Sequence, residues 1–156
     1  MTTQTFFLPK GRATNDVGFT WNLGTGVVQA ESATFYLNDF AGALYWMIVA
    51  STGNFEDENY FSFVMTLPFT GDESFAGIYE LRDGLTFTHG HWIPAPPGFD
   101  GLRTVTADSA ILNIIKYDAG SDIVEGTFEA VFKTDGYRLN PKGTFNLKRV
   151  RGLEAG

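Results

Sequence analysis

Cysteine is absent from the 156-residue chain, which excludes disulfides, thiolate metal sites and a cysteine nucleophile. Histidine is nearly as scarce: the only two, His89 and His91, stand two positions apart. Long apolar runs are missing too. Residues 41–50 form the longest, interrupted by Gly42 and far short of the roughly 18 residues of a membrane span. Basic charge is thin. Residues 1–132 carry 16 acidic and 5 basic side chains (−11), and residues 133–156 carry 6 basic and 2 acidic (+4), giving a net −7. So acidic a body argues against a nucleic-acid partner, since neutralising phosphates needs clustered Lys and Arg. Lys148, Arg149 and Arg151 make up the basic end, read as charges that blunt an edge strand and its tail against aggregation. The opening MTTQTFFLPKGRATND lacks the basic start and apolar core of a signal peptide. The expectation is a soluble, cytoplasmic protein, with export by a signal-less route left open.

A 3.6-residue apolar period is also lacking over any ten-residue stretch, leaving only 16–22 and 32–44 open as short helical turns. What is present is aromatic and glycine-rich: 15% aromatic residues, among them 15 Phe, alongside 18 Gly. Bulky flat side chains and glycine favour sheets joined by tight turns. Strand patterns fall at residues 5–8, 26–37, 44–50, 60–67, 75–81, 110–117, 123–132 and 143–150. Polar or Gly-containing connections separate them, with Asp83-Gly84 and Asp135-Gly136 read as tight hairpin turns. Such spacing predicts one all-β domain over 1–156, with 151–156 as a tail. Its architecture is an antiparallel β-barrel or β-sandwich of about 8–10 strands.

One internal echo stands out. Glu125-Gly-Thr-Phe128 and Lys142-Gly-Thr-Phe145 share G-T-F seventeen positions apart. As neighbouring strands, each would turn its Phe inward and its Thr outward, the glycines permitting a bulge or a sharp bend. Residues 124–147, with this G-T-F strand, turn and second G-x-F strand, resemble the closing strands of calycin-like barrels and of small bacterial β proteins. The lipocalin G-x-W is not matched, since Gly18-Phe19-Thr20-Trp21 has a different spacing. The resemblance implies a barrel or sandwich, a calycin-like barrel being preferred, and transfers no site residues.

Candidate sites concentrate in two places. Residues 44–50 (LYWMIVA) are apolar at every position, which needs cover on both faces or a second face lining a cavity or a partner. Tyr45, Trp46 and Met47, beside Phe61, Phe63 and Met65, therefore form the candidate ligand- or partner-binding set. The second place is FTHGHWIPAPPGFDG, residues 87–101. His89 and His91 could offer two imidazoles to a metal, with Asp83 or Asp100 as a third ligand. The competing reading makes them strand-end residues on the polar side, with Trp92 and Ile93 turning inward. Pro94, Pro96 and Pro97 stiffen the rest and present Trp92 and Phe99 at fixed positions. The acidic run Glu56-Asp57-Glu58, with Asn54 or Asn59, lacks the D-x-D-x-D-G spacing of a calcium loop and reads as solvated. Phosphate-loop and nucleophile-elbow patterns are missing.

The expectation is thus a non-enzymatic interaction or structural protein that needs no cofactor. It would self-associate as a homodimer, or bind another protein, through an apolar aromatic surface. The alternative is a lipocalin-like carrier of a small apolar or aromatic ligand, with a barrel-type enzyme third.

Overall fold

In the computed structural model, residues 17–24, 26–136 and 138–151 are described. They form eleven strands and no α-helix: β1 (Phe19–Asn22), β2 (Val27–Gln29), β3 (Ser32–Phe40), β4 (Ala43–Thr52), β5 (Phe61–Pro68), β6 (Gly77–Glu80), β7 (Thr86–Ile93), β8 (Gly101–Thr106), β9 (Ser109–Asp118), β10 (Ile123–Val131) and β11 (Lys142–Lys148). All pair antiparallel in two sheets. The six-stranded sheet runs β2-β1-β11-β10-β9-β6 and the five-stranded sheet β3-β4-β5-β7-β8. Among the described residues no ladder joins the sheets into a closed barrel.

Chain corners link the two ladders. Ala30 N–H bonds Phe19 O in the six-stranded sheet, while Glu31 N–H bonds Ser51 O in the five-stranded one. Ala107 and Asp108 repeat the switch, donating to Phe87 O and Val131 O respectively. Each corner hands the chain from one sheet to the other within two residues, so no backbone donor is lost at the turn.

Between the sheets lies one aromatic core. Phe63 contacts Trp21 at 5.2 Å, Phe87 at 5.6 Å and Phe128 at 6.1 Å between ring centres. At the far end Trp46 stacks on Phe75 at 4.3 Å and meets Phe35 and Tyr117 at 5.3 and 5.4 Å. Offset and edge-on pairs of this kind add to the burial of apolar area.

The G-T-F echo resolves into a crossed pair. On β10 and β11 Gly126 stands opposite Phe145, Thr127 opposite Thr144, and Phe128 opposite Gly143. A methyl group on either glycine would overlap the phenyl ring of the strand across. Each glycine is thus the seat of its neighbour's aromatic ring. Both Phe side chains are buried, and Phe19 stacks on both, at 5.2 and 6.0 Å. At Gly126 the pairing with β9 also shifts by one residue, leaving Ile115 as the extra residue of a bulge.

Several sequence expectations change. Residues 16–22 and 32–44 yield β1 and β3, so neither is a helical turn; residue 16 and the expected strand at 5–8 lie outside the described residues. The run 26–37 divides at the Ala30–Glu31 corner. Residues 86–93 are a full strand, because the prolines that stiffen the connection begin only at Pro94. Asp83 closes a 3-10 turn (Leu81–Asp83) capped by left-handed Gly84, and Asp135 and Gly136 lie in another (Thr134–Gly136), so neither dipeptide makes a two-residue hairpin. The basic end is divided. Arg149 turns inward, its guanidinium 5.1 Å from the Trp46 ring, 3.1 Å from the Tyr117 hydroxyl and 3.4 Å from Asp72, while Arg151 forks onto Asp122 at 2.7–3.2 Å.

Candidate functional site

Pleating sorts the predicted site residues onto opposite faces of the five-stranded sheet. Trp46, Phe61, Phe63 and Met65 point into the core and are buried. The gap beside Trp46, Ile48, Met65, Phe75 and Leu112 admits no water-sized sphere. Tyr45 and Met47 point the other way and are half-buried, as does Trp92 at the end of β7. Phe99 is well exposed, in the connection from β7 to β8. The predicted set is therefore not one site. Four of its members are core and three belong to an outer face.

That face has a distinctive composition. On β4 Met47 sits between Tyr36 and Thr66, Val49 between Thr34 and Val64, and Tyr45 between Asn38 and Pro68. Toward β8 hydroxyls share the surface with one apolar pair: Val64 pairs with Thr88, which pairs with Thr106, Gly90 pairs with Thr104, and near the strand ends Trp92 pairs with Leu102. No Asp, Glu, Lys or Arg occupies an outward position on any of the five strands. The outer face of the six-stranded sheet differs. It carries Glu125, Glu129, Lys142 and Lys148, with Glu129 and Lys142 paired at 3.7 Å beside a shallow trough of about 550 Å³ floored by Thr20, Asn113, Thr127 and Thr144. The two outer faces thus differ in charge: the six-stranded one carries both signs and the five-stranded one carries neither.

The two histidines take a place opposite to the polar-side reading. His89 and His91 face inward on β7 and are buried, whereas Trp92 faces outward. Their rings stack at 5.6 Å, and His89 also meets Phe61 at 5.7 Å and Phe132 edge-on at 4.6 Å. Burial, reinforced by the neighbouring His91, lowers the His89 pKa to about 4, so the ring is neutral at physiological pH. The His91 pKa is lowered as well, first by burial and then by the Arg103 charge. Among the described residues no group of three or more His, Asp or Glu gathers to hold a metal. Asp83 instead accepts the Glu80 N–H at 2.8 Å, and Asp100 is exposed. The pair belongs to the aromatic core.

The acidic loop closes on itself. Asp57 N–H donates to Asn54 Oδ1 at 2.6 Å, Asn54 Nδ2 donates to Asp57 Oδ2 at 2.9 Å, and Asn54 N–H donates to Asn59 Oδ1 at 2.9 Å. Glu56, Asp57 and Glu58 are exposed.

Residue-by-residue reading of the sequence missed Tyr36, Val49, Val64, Thr88 and Thr104 as members of one surface. The signal that finds them is the absence of charge at every second position of five separate strands. Among the described residues no helix is long and apolar enough to cross a membrane. Comparison with protein-family models, with curated proteins and with solved structures finds no match.

Proposed function

We propose that this is a non-enzymatic interaction protein that works through the outer face of its five-stranded sheet, and that it self-associates there. One observation carries the reading: the uncharged outer face, apolar around Met47 and Val49, on a chain of net charge −7. A face meant only for water gains solubility from Lys and Glu, and the opposite sheet has them. Self-docking has the reverse requirement, because any net charge on the patch would meet its own copy. Five strands about 4.8 Å apart and about eight residues long present roughly 600 Å² per copy, or about 1,200 Å² for two. That is the lower end of a specific protein–protein interface.

A lipocalin-like carrier would need room inside. The aromatic residues first assigned to a ligand instead fill the interior against one another. For the same reason we read the architecture as two sheets packed face to face in preference to a calycin-like barrel. The support is the shared core and two ladders that, among the described residues, meet beyond β11 in the single bridge Phe35–Arg149.

The test is the solution mass. Wild-type protein in sedimentation or native mass spectrometry should run at twice the 17.2-kDa chain mass, and Val49→Lys should run as a monomer with unchanged circular dichroism. A wild-type monomer at every concentration that the protein tolerates refutes self-association.

A further inference from the structure

The connection from β7 to β8 stands clear of the core. Residues 94–100 are all exposed, the longest such run among the described residues, and Phe99 is 74% exposed. From Gly84 to Phe99 the chain contains no Asp, Glu, Lys or Arg. At the foot of the loop Trp92 and Leu102 pair across β7 and β8, with Leu102 half exposed. Asp100 and Arg103, exposed beside them, contribute one charge of each sign. The result is a convex apolar tip, Phe99 with three prolines, on an apolar base.

The backbone of this tip says what it can enter. Pro94, Pro96 and Pro97 carry no N–H, and the Phe99 N–H donates to Pro96 O at 3.1 Å. From 94 to 99 only Ala95 and Gly98 bring a further backbone donor. An apolar medium penalises every donor stripped of water, and this loop has few to strip. Its carbonyl oxygens stay wet at the depth that so short a loop reaches, among lipid headgroups. The prolines fix its shape beforehand, so little conformational freedom is lost on insertion. Proline-recognising domains are a poorer match, because they read an extended helix of three residues per turn. Here the chain reverses at Pro97 and Gly98 (φ +86°), directly after residues 94–96.

We infer that the β7–β8 tip inserts into the interfacial layer of a lipid bilayer, with Phe99 and the prolines entering and Trp92 resting at headgroup level. Indole rings, apolar with one polar edge, favour that level. Charge selects the lipid. The neighbouring β4–β5 connection, tied to the base of the loop by Trp92 N–H donating to Tyr60 O at 2.9 Å, exposes Glu56, Asp57 and Glu58. Anionic headgroups would repel this loop and the net −7 of the whole chain. The surface that fits is therefore zwitterionic. Self-association is not required, since one chain carries the whole tip.

The test mixes wild-type protein with phosphatidylcholine vesicles at millimolar lipid and reads binding by co-flotation and by tryptophan emission. Trp21 and Trp46 are buried in the core, so a shift in emission reports Trp92. Binding with a blue shift is expected, and it should weaken when phosphatidylserine replaces part of the phosphatidylcholine. Phe99→Asp should lower lipid affinity roughly tenfold or more, with unchanged circular dichroism. Phe40→Asp is the control, because Phe40 is 71% exposed at the tip of the β3–β4 hairpin, at the opposite end of the sheet. That variant adds the same charge and should bind as wild type does. Absence of vesicle binding overturns the inference. So does a Phe99→Asp variant that binds no worse than Phe40→Asp, which would mean unspecific adhesion. Binding that leaves the emission unmoved puts another surface on the lipid, and binding only with phosphatidylserine present is ionic adsorption; either result overturns it as well.

Discussion

Burial decides what His89 does, and the decision has a pH signature. The folded form holds the ring neutral, with its pKa lowered to about 4, while in the unfolded chain it titrates near 6.5. The unfolded state therefore takes up a proton that the native state refuses as pH falls below 6.5. Stability is full above that value, declines between 6.5 and 4, and levels off below 4 as far as this residue is concerned. The shift corresponds to about 3 kcal/mol in all. Denaturant unfolding of His89→Leu should show a flatter stability profile between pH 7 and 5 than wild type. An unchanged slope would move the acid sensitivity elsewhere, first to His91. The sequence shows that the two histidines are paired, but not which way they face. H-x-H in a strand places both rings together, and the same spacing serves a metal or a core. Its position within β7 decides, and that follows from the long-range partners β5 and β8.

At the element scale, strands with strong local patterns are legible and those defined by tertiary pairing are not. The alternation at 60–67 and the apolar run at 44–50 announce β5 and β4. β1, β7 and β8 are short, or hidden by histidine and proline nearby, and the register against their neighbours defines them. The split of LYWMIVA between a core face and a surface face was equally invisible, because both faces are apolar. The crossed G-T-F pair is the element-level feature most open to test. Gly126→Ala places a methyl group in the volume of the Phe145 ring and should destabilise by about 1–3 kcal/mol. Adding Phe145→Leu to that variant should recover part of the loss, so that the double change costs less than the two single changes summed. Strict additivity in thermal or denaturant unfolding would mean that the ring and the glycine do not share that space.

For the whole molecule, the salient contrast is between two outer faces, one charged and one not. Association through the uncharged face should respond to salt in a characteristic direction. Raising ionic strength screens the repulsion between two chains of net charge −7 and leaves the apolar contact intact. Sulfate should strengthen it further. Sedimentation at low and high salt should thus show association unchanged or tighter. A dimer that dissociates as salt rises would point to ionic contacts, for which the charged six-stranded face is the only large source among the described strands.

The crossed glycines and rings carry one more consequence. In most hairpins the turn sets how two strands align. Here alignment of β10 with β11 is stored in the strands, as two lock-and-key volumes spaced two residues apart. Slipping by one residue turns both rings toward water, and slipping by two sets a ring against a position with no seat for it. The alignment checks itself. The turn between Phe132 and Leu139 is thereby relieved of setting it, and this hairpin can accept a changed turn as long as Leu139, which exchanges backbone hydrogen bonds with Phe132 and is buried in the core, stays in place.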